Sequence, residues 1–362
     1  MYKLLYKLFY YNKLMTIPLN VPISQIPNYT QNSVKFYIIK AIIILLIILI
    51  VFQFALLLVS FVNFIYKYFL MREKNLPKVY GENSYVVITG TSSGQGYYFA
   101  KEMAKRGFNL LLISSERSKS LVDELKKSYP KIKVILIIKD FRKAYEANFF
   151  DEIVDTIEKL DGNISMLINN VAHRTAWIPY HTMPQQLIND TIIVGTIVQA
   201  QLCRICLPHF INRKHRSAIV NITAQCTMRT FGFGEILNNE ISVPFLSAYE
   251  SANAFGFYHG NSILKEYKKY SNKIDLVNIM PGAVVTDNTG FLKNTIFNIN
   301  AEDFVKNSIK MIGNVNGSTC AYWGHAISVL LINIFPFIKN PVLYNTGYKI
   351  AQDYMAMPKK KY

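Results

Sequence analysis

The sequence is short of acidic residues, and those present are unevenly placed. Its 362 residues include 23 aspartates and glutamates against 40 lysines and arginines, a formal net charge of +17. No acid occurs before Glu73. Basic residues beside an apolar run are typical of membrane-flanking sequence, where lipid headgroups are the natural partner. No basic helix with interleaved aromatics and no zinc-finger spacing occurs, so nucleic acid is not an expected partner.

Cysteine is also scarce. Four cysteines in a chain of this length do not form a disulfide framework. Cys203 and Cys206 make a CxxC pair, but they lie in a helical pattern and no second ligand pair accompanies them. We therefore expect buried helix cysteines, no metal site, and reducing surroundings for the globular part.

One long apolar run is present. Residues 41–66 carry no charge and, at about 1.5 Å per residue, are long enough to cross a bilayer once. The run is too long and too far along the chain for a cleaved signal peptide. Basic residues flank both ends, so orientation stays open. A second apolar stretch, Ala326 to Ile338, is too short to span and indicates either an interfacial patch or a buried helix.

Two short signals indicate different compartments for a single-pass membrane protein. The stretch Tyr2 to Leu14 is basic and amphipathic, like a mitochondrial targeting segment, although it lacks arginine. The C-terminal residues Lys359 to Tyr362 fit a dilysine retrieval signal of the endoplasmic reticulum. The mitochondrial inner membrane is favoured, with the endoplasmic reticulum as the alternative.

From about Tyr80 onward, short apolar segments alternate with helical patterns, which predicts an α/β fold of the Rossmann type, a doubly wound parallel sheet with an N-terminal transmembrane helix. The domains expected are a basic extension (1–40), the transmembrane helix (41–66), a linker (67–79), the α/β domain (80–315) and a C-terminal apolar segment with a basic tail (316–362). Strands are predicted over 85–88, 109–113, 134–138, 166–168, 218–222 and 276–279, and helices over 95–106, 118–128, 150–160, 185–207, 248–270 and 301–312.

A glycine-rich turn follows the first predicted strand. Gly90 allows a tight turn, Gly94 lets backbone N–H groups approach a pyrophosphate, and Gly96 lets the next helix pack close to the strand. The N-terminus of that helix then faces the phosphates with its partial positive charge. The turn therefore predicts a dinucleotide site.

Further motifs carry a family resemblance. Asn169 to Ala172 correspond to an NNAG or NNVG turn, residues 248–255 (AYESANAF) stand where YxxxK is expected, and residues 280–287 (MPGAVVTD) fit a PGxVxT segment. From about residue 80 to 340 the chain resembles the short-chain dehydrogenase/reductases. It is similar in particular to their membrane-anchored branch of 3-ketoacyl-CoA reductases and 17-beta-hydroxysteroid dehydrogenases.

The resemblance implies a nicotinamide dinucleotide as cofactor. Ser114 ends the second strand where an acid would favour unphosphorylated ribose, and the family's phosphate-reading arginine falls at Ser115, with Arg117 two positions later. NADP(H) is therefore favoured, and NAD(H) stays open. The implied cofactor-binding residues are Thr89, Gly90, Ser92, Ser93, Gly94, Gly96, Ser115, Arg117, Asp140, Asn169, Pro281, Gly282, Val284 and Thr286.

The family's catalytic tetrad is expected to be degenerate. Tyr249 matches the family tyrosine, but Asn253 replaces the lysine, Ala224 the serine and Gly195 the asparagine. A tyrosine hydroxyl has a pKa of about 10 and needs a nearby cation to donate a proton near neutral pH. Thr223, Cys226 and Thr227 are possible substitutes for the serine, and Asn189 is the nearest alternative asparagine. An insertion of about a dozen residues, around Phe231 to Ser242, is expected at the mouth of the cleft.

Two functions follow from these residues. The favoured one is a membrane-anchored, NADP(H)-holding but non-catalytic reductase fold, an accessory or structural subunit of a membrane complex of the mitochondrial respiratory type. Membrane lipids and protein partners are then expected. The alternative is an active NADPH-dependent 3-ketoacyl-CoA or 17-beta-hydroxysteroid reductase of the endoplasmic reticulum.

Overall fold

The computed structural model of the chain describes residues 28–160, 163–173, 176–225, 242–286, 289, 292–334 and 336–356. Internal contacts divide the chain into two units, 1–69 and 70–362. The first unit contains helix α1 (Asn28–Ile65), which a π-helical turn over Tyr66–Leu70 continues. Its most apolar 18-residue window has a mean hydropathy of 3.5 and is not buried at all. By length and composition this helix is a candidate membrane span, and it contains the predicted anchor.

The second unit is built on a seven-stranded parallel sheet. The strand order is β3-β2-β1-β4-β5-β6-β9, with a separate two-stranded pair β7-β8. The strands are β1 (Tyr85–Thr89), β2 (Asn109–Ser114), β3 (Val134–Ile138), β4 (Ile164–Asn169), β5 (Ser217–Ile222), β6 (Ile274–Ile279), β7 (Val284–Val285), β8 (Ile299–Asn300) and β9 (Gly317–Thr319). The order reverses between β1 and β4, and a crevice opens there beyond the carboxyl ends of the strands.

Helices cover both faces of this sheet, which confirms the predicted fold class. They are α2 (Leu76–Tyr80), α3 (Gly94–Lys105), α4 (Lys119–Ser128), α5 (Asp151–Lys159), α6 (Gln185–Ile192), α7 (Val198–Asn212), α8 (Ser247–Glu266), α9 (Ala301–Met311), α10 (Trp323–Ile334) and α11 (Pro336–Ala356). Successive strand side chains point to opposite faces, so each strand contributes to two cores. Val86 packs with Phe99 of α3 on one face, while Val87 packs with Phe210 of α7 on the other.

Several boundaries differ from the sequence prediction. Leu76 and Tyr80 are fully buried, so the end of the predicted linker belongs to the core. The Tyr80 hydroxyl donates to Asp275 at 2.9 Å, which fastens α2 to β6. Strand β9 was not predicted because its three residues, Gly-Ser-Thr, show no apolar pattern. The stretch predicted as one apolar segment over 326–338 falls on two helices, α10 and α11.

The helical run Gln185–Asn212 also passes the length and composition test for a membrane span. Half of its most apolar window is buried, and α7 packs against β4 and β5. Buried Cys203 and Cys206 lie in this helix, as predicted. Burial raises the pKa of the Cys203 thiol to about 12, so neither its packing nor its acidity suits metal ligation. The run is a core helix of the second unit.

Candidate functional site

The glycine turn connects β1 to α3 with the backbone that a close ligand approach requires. Gly90 has φ +71° and Gly94 has φ +60°, in the left-handed region that favours glycine. A Cβ on Gly96 would lie 2.2 Å from the Gly90 carbonyl oxygen and 2.5 Å from Nδ2 of Asn170. The turn therefore brings the first N–H groups of α3 to the carboxyl edge of β1 without side chains in the way.

Thr89 and Asn170 fasten this turn to the one after β4. The Thr89 hydroxyl oxygen accepts from the backbone N–H groups of Asn170 and Val171, both at 3.0 Å. In return, Nδ2 of Asn170 donates to the carbonyl oxygens of Thr89 at 3.0 Å and Gly90 at 3.1 Å. The two walls of the crevice at the strand-order reversal are thus held in a fixed relation. Asn169 and the glycine turn, which the motifs predicted to act together, lie on its two sides.

The side chain at the end of β2 is uncharged, and its hydroxyl is already engaged in hydrogen bonds. Ser114 is buried, and its hydroxyl oxygen accepts from the Thr91 N–H at 3.0 Å and from the Ser118 hydroxyl at 2.9 Å. The position that would select an unphosphorylated ribose therefore offers no carboxylate and is used structurally. Arg117 is exposed one turn further along. The preference for NADP(H) stays a prediction.

Among the described residues, three buried side-chain oxygens have no hydrogen-bond partner: Oε1 of Gln95, Oγ of Ser115 and Oδ1 of Asn169. Buried polar groups are normally paired, so an orphaned oxygen indicates a place where a polar ligand or water binds. Gln95 lies in the glycine turn, Ser115 just after β2, and Asn169 at the end of β4. All three lie at the carboxyl edge where the motifs place the dinucleotide. A ligand rich in hydroxyl and N–H groups fits this edge.

A ladder of amides fixes the orientation of Asn169. Its Nδ2 donates to Oδ1 of Asn221 at 2.9 Å, and Nδ2 of Asn221 donates to Oδ1 of Asn278 at 2.9 Å. Nδ2 of Asn278 donates to the carbonyl oxygen of Phe257 at 3.2 Å. Because a carbonyl can only accept, this last bond sets the direction of every amide in the ladder. Asn169 must therefore turn its nitrogen into the sheet and leave its oxygen as the acceptor.

Asp140 follows β3, where the family contacts the adenine. It caps the 3₁₀ turn after it by accepting from the Arg142 N–H at 3.1 Å, and its carboxylate pairs with the Arg142 guanidinium at 2.7 Å. The hydrogen bonds from Arg142 lower the pKa of Asp140, so the carboxylate is ionised at neutral pH. Its part in nucleotide binding stays a prediction.

The segment from Pro281 to Thr286 meets the glycine turn. A Cβ on Gly94 would lie 3.3 Å from Cγ2 of Thr286. The Thr286 N–H donates to the Thr289 hydroxyl at 2.9 Å, and that hydroxyl donates to the Val284 carbonyl oxygen at 2.6 Å. The structure thus brings together the glycine turn, Asn169 and the 281–286 segment, which are far apart in sequence.

A pocket opens beside this edge. It contains Tyr249 and Asn253 of α8, and the described residues that line it include no lysine or arginine. Nδ2 of Asn253 donates to the backbone carbonyl oxygen of Tyr249 at 2.9 Å, one helical turn back. The amide that replaces the family lysine therefore carries no charge and satisfies its own helix. The other described lining residues are Asn169, Val171, Ala172, His173, Thr191, Val194, Gly195, Val198, Gln199, Ile222, Thr223, Ala252 and Gly256.

Among the described residues, no neighbour of Ala224 replaces the hydroxyl of the family's serine. Ala224 is buried just beyond β5. Thr223 lines the pocket, but its hydroxyl lies within 3.4 Å of the Ile279 carbonyl oxygen, to which it donates. Cys226, Thr227 and residues 231–241 of the predicted insertion lie outside the described residues.

Gly195 lies on the pocket wall in a π-helical turn over Ile193–Ile197, between α6 and α7. A Cβ there would lie 2.7 Å from the Cβ of Ala252 on α8. Such a bulge inside a helix frequently marks a functional position. Glycine therefore stands at the asparagine position, and a side chain there would require the π-helical turn and α8 to move apart. Asn189, the nearest alternative, is exposed and does not line the pocket.

Two polar pocket residues, His173 and Gln199, were missed from the sequence. His173 has its Nε2 3.8 Å from Oδ2 of buried Asp190 and its Nδ1 3.5 Å from the Thr191 hydroxyl. Gln199 lies four residues after Gly195, and its Nε2 donates to the Gly256 carbonyl oxygen at 3.2 Å. Helical spacing from Gly195 could have identified Gln199. No sequence pattern singles out His173, which enters from the turn after β4.

Comparison with known proteins identifies the family. The profile of the short chain dehydrogenase family matches residues 84–296. The chain belongs to this family. Short-chain dehydrogenase from Sphingobium yanoikuyae, solved with NADPH, superposes with a TM-score of 0.56 at 19% identity, covering 77% of this chain and 98% of that one. The 3-ketoacyl-(acyl-carrier-protein) reductase of Brucella melitensis, solved with NADH, gives 0.54 at 16% identity, covering 66% and 96%. At these identities the superpositions show the fold alone.

Curated relatives cover most of this short-chain dehydrogenase. The very-long-chain 3-oxoacyl-CoA reductase of Emericella nidulans is 26% identical over 282 residues, 75% of this chain and 76% of the relative. The same-named protein of Vanderwaltozyma polyspora is 29% identical over 277 residues, 73% and 76%. Hydroxysteroid dehydrogenase-like protein 1 of Gallus gallus is 28% identical over 280 residues, 73% and 78%. The resemblance to the 3-ketoacyl-CoA reductase and hydroxysteroid dehydrogenase branch is thereby confirmed.

Proposed function

We propose that this protein is a membrane-anchored short-chain dehydrogenase that holds NADP(H) without carrying out the family's carbonyl reduction, and that it serves as an accessory subunit of a membrane complex. One observation carries the proposal. The glycine turn and Asn169, which match the family's nucleotide-binding motifs, lie beside a pocket in which Asn253 occupies the lysine position and uses its amide within its own helix.

The nucleotide edge supports binding. The glycine turn offers N–H groups for a pyrophosphate, and the orphaned oxygens of Gln95, Ser115 and Asn169 can accept from hydroxyl or N–H groups. Thr286 of the 281–286 segment lies against Gly94 of the turn. A nicotinamide dinucleotide, when bound, supplies the hydride in this family. Ser114 at the end of β2 provides no carboxylate against a 2′-phosphate, which favours NADP(H), while NAD(H) remains the other candidate.

The pocket argues against turnover. The described residues that line the pocket include no lysine or arginine to promote proton transfer from Tyr249, and Ala224 provides no hydroxyl for a substrate carbonyl. Loss of one such interaction costs about 3–4 kcal/mol in the transition state, or roughly a hundred- to a thousandfold in rate. Gly195 adds a third loss, because it lacks the asparagine side chain that the family has at this position. Conventional ketone reduction is therefore expected to be very slow.

The anchor supports a membrane location. Lys35–Leu70 is long and apolar enough to cross a bilayer. For the compartment, the acid-free and basic first 72 residues support the mitochondrial inner membrane. The C-terminal lysines support the endoplasmic reticulum as the alternative.

A second candidate function is an active NADPH-dependent 3-ketoacyl-CoA or 17-beta-hydroxysteroid reductase. The names of the curated relatives favour it, and so does the position of Tyr249 on the pocket wall, with His173 also among the lining residues. In that case a residue other than Asn253 must supply the charge that the lysine supplies elsewhere.

The test combines nucleotide binding with turnover on the full chain purified in detergent. Mass spectrometry of the supernatant after denaturation is expected to find NADP(H), and added NADPH is expected to bind. Gly96→Val is expected to abolish binding, because its side chain enters the space of the Gly90 carbonyl. Gly107→Asn is the control, because no atom lies within 4 Å of a Cβ there and asparagine tolerates its φ of +83°.

Two outcomes would contradict the proposal. Absence of any nicotinamide nucleotide, with no binding at millimolar NADPH, rejects the nucleotide site. Rapid NADPH oxidation with 3-oxoacyl-CoA or ketosteroid substrates, lost in Tyr249→Phe, selects the reductase instead.

A further inference from the structure

His325 is a buried imidazole outside the family motifs. It lies in the first turn of α10 and is 1% exposed. Its ring contacts those of Tyr322 and Phe304, with centroids 5.2 and 5.9 Å away. Burying a polar ring among aromatic side chains is unfavourable unless both of its nitrogens are hydrogen-bonded.

Both nitrogens hydrogen-bond to the backbone of the 281–286 segment, called the nicotinamide segment here because the PGxVxT motif that it matches holds the nicotinamide carboxamide in this family. The Gly282 N–H donates to Nδ1 of His325 at 3.1 Å, and Nε2 lies 3.2 Å from the Ala283 carbonyl oxygen. Because the carbonyl can only accept, Nε2 must carry the proton, which leaves Nδ1 free to accept. The partners therefore select one neutral tautomer. His325 hydrogen-bonds to two consecutive residues and thereby fixes the orientation of the backbone between them.

Gln225 provides a second attachment. Its N–H donates to the Pro281 carbonyl oxygen at 2.8 Å, and its Nε2 donates to the His325 carbonyl oxygen at 2.5 Å and to the Ser328 hydroxyl at 3.3 Å. A Cβ on Gly282 would lie 2.5 Å from Oε1 of Gln225 and 2.8 Å from Cδ2 of His325. The end of β5, the 281–283 segment and the start of α10 are thus one hydrogen-bonded unit without spare space.

The C-terminal helices α10 and α11 contact each other, and α11 also contacts the segment that precedes α8. The rings of Tyr348 and Phe245 lie 4.8 Å apart, and a Cβ on Gly347 would lie 2.9 Å from Pro244. Residues 243–245 lead directly into α8, which carries Tyr249. Helix α10 therefore contacts the nicotinamide segment, and α11 contacts the residues that lead into α8.

We infer that His325 is a positioning residue: it holds Gly282 and Ala283 against α10 in the conformation that receives the nicotinamide end of the nucleotide, so that nucleotide affinity depends on helix α10. The inference rests on the proposed nucleotide function. A side chain that merely filled space at this position would be replaceable by any apolar residue of similar size. A residue that orients two peptide groups is replaceable only by one that both accepts and donates.

Two substitutions separate these roles. His325→Leu keeps an apolar side chain and removes both hydrogen bonds. His325→Gln replaces the ring with an amide whose oxygen can accept from the Gly282 N–H and whose nitrogen can donate to Ala283. Leu330→Ala is the control, because Leu330 lies on the same helix with half of its surface exposed.

The experiment measures NADPH affinity of the full chain in detergent by titration of the bound nucleotide's fluorescence. His325→Leu is expected to weaken binding by about ten- to a hundredfold, the effect of losing two hydrogen bonds that orient the segment. His325→Gln and Leu330→Ala are expected to stay within about threefold of the unmodified protein. An affinity of His325→Leu equal to that of the unmodified chain, or a His325→Gln as weak as His325→Leu, would overturn the inference.

Amide hydrogen exchange distinguishes failure of the positioning role of His325 from failure of the proposed nucleotide-binding function. If the unmodified protein binds no NADPH, the function fails, and faster exchange at Gly282 in His325→Leu still supports the positioning role. Unchanged exchange there overturns it. Should His325→Leu not fold, Gln225→Met removes only the side-chain attachment. It is expected to weaken binding or speed exchange at Gly282 by a smaller factor, and no change in either also overturns the inference.

Discussion

The contact between Gly195 and Ala252 allows a sharp test of why the asparagine position is closed. In Gly195→Ala the new Cβ would lie 2.7 Å from the Cβ of Ala252, whereas carbon atoms pack best at about 3.5–4.0 Å. The π-helical turn and α8 must then separate by about 1 Å. Overpacking of this kind costs about 1–3 kcal/mol, while the gain in helix propensity offsets about 1 kcal/mol.

The complementary substitution, at Ala252, tests the same contact between Gly195 and Ala252 from the other side. Ala252→Gly alone is expected to destabilise by about 1–2 kcal/mol, through helix propensity and one lost buried methyl group. In the double variant the propensity terms cancel and the clash is gone. The coupling energy between the two substitutions is therefore expected to be about 1–3 kcal/mol in favour of the pair.

Chemical denaturation of the four proteins in detergent, followed by circular dichroism, measures this coupling. Substitution of exposed Asn189 by alanine on the same helical run is the control and should change stability little. Additive effects, with coupling below about 0.5 kcal/mol, would show that the helices are not in contact at this position. The explanation for the missing asparagine would then be wrong.

Three further outcomes are expected. Ala224→Ser combined with Asn253→Lys should restore slow NADPH oxidation with 3-oxoacyl-CoA, and each change alone should do less, because the two roles cooperate; no gain in the double variant would mean that the pocket is altered elsewhere. Burial lowers the pKa of His325 to about 4 from about 6.5, so the native state binds fewer protons than the unfolded state, and the stability present above pH 6.5 should fall by up to about 3 kcal/mol as the pH drops to 4. His325→Gln should show a flatter denaturation profile over that range, and an unchanged profile would contradict this origin. Deleting residues 1–70 should release the second unit only partly from membranes, since α10 exposes Leu330 and Leu331, and a wholly soluble, monomeric product in a flotation assay would remove the second contact.

Much of the fold was predictable because it depends on local patterns. Short apolar strands alternating with amphipathic helices dictate a parallel sheet with two covered faces, and all six predicted strands are present. The glycine turn was also predictable from its glycine spacing after β1, and the positive φ angles of Gly90 and Gly94 agree with the tight turn that was expected.

The rest of the site depends on distances that no local pattern encodes. Gly195 was identifiable as the asparagine position, but its lack of room comes from Ala252 on another helix. His325 reads as one polar residue in an apolar helix, and only the fold shows that both of its nitrogens bind the 282–283 backbone. The direction of the Asn169 amide is likewise set by a distant group, the Phe257 carbonyl of α8, which fixes Asn278 two strands away.

The most direct test of the account is the NADPH absorbance of the purified full chain, loaded with NADPH and mixed with a 3-oxoacyl-CoA substrate. We expect the nucleotide to stay bound and reduced, with oxidation no faster than in Tyr249→Phe, because the described residues that line the pocket include no lysine or arginine and Ala224 carries no hydroxyl. Oxidation in the unmodified protein at rates usual for enzymes, on the order of 1 per second or more, that Tyr249→Phe abolishes would contradict the account and establish an active reductase.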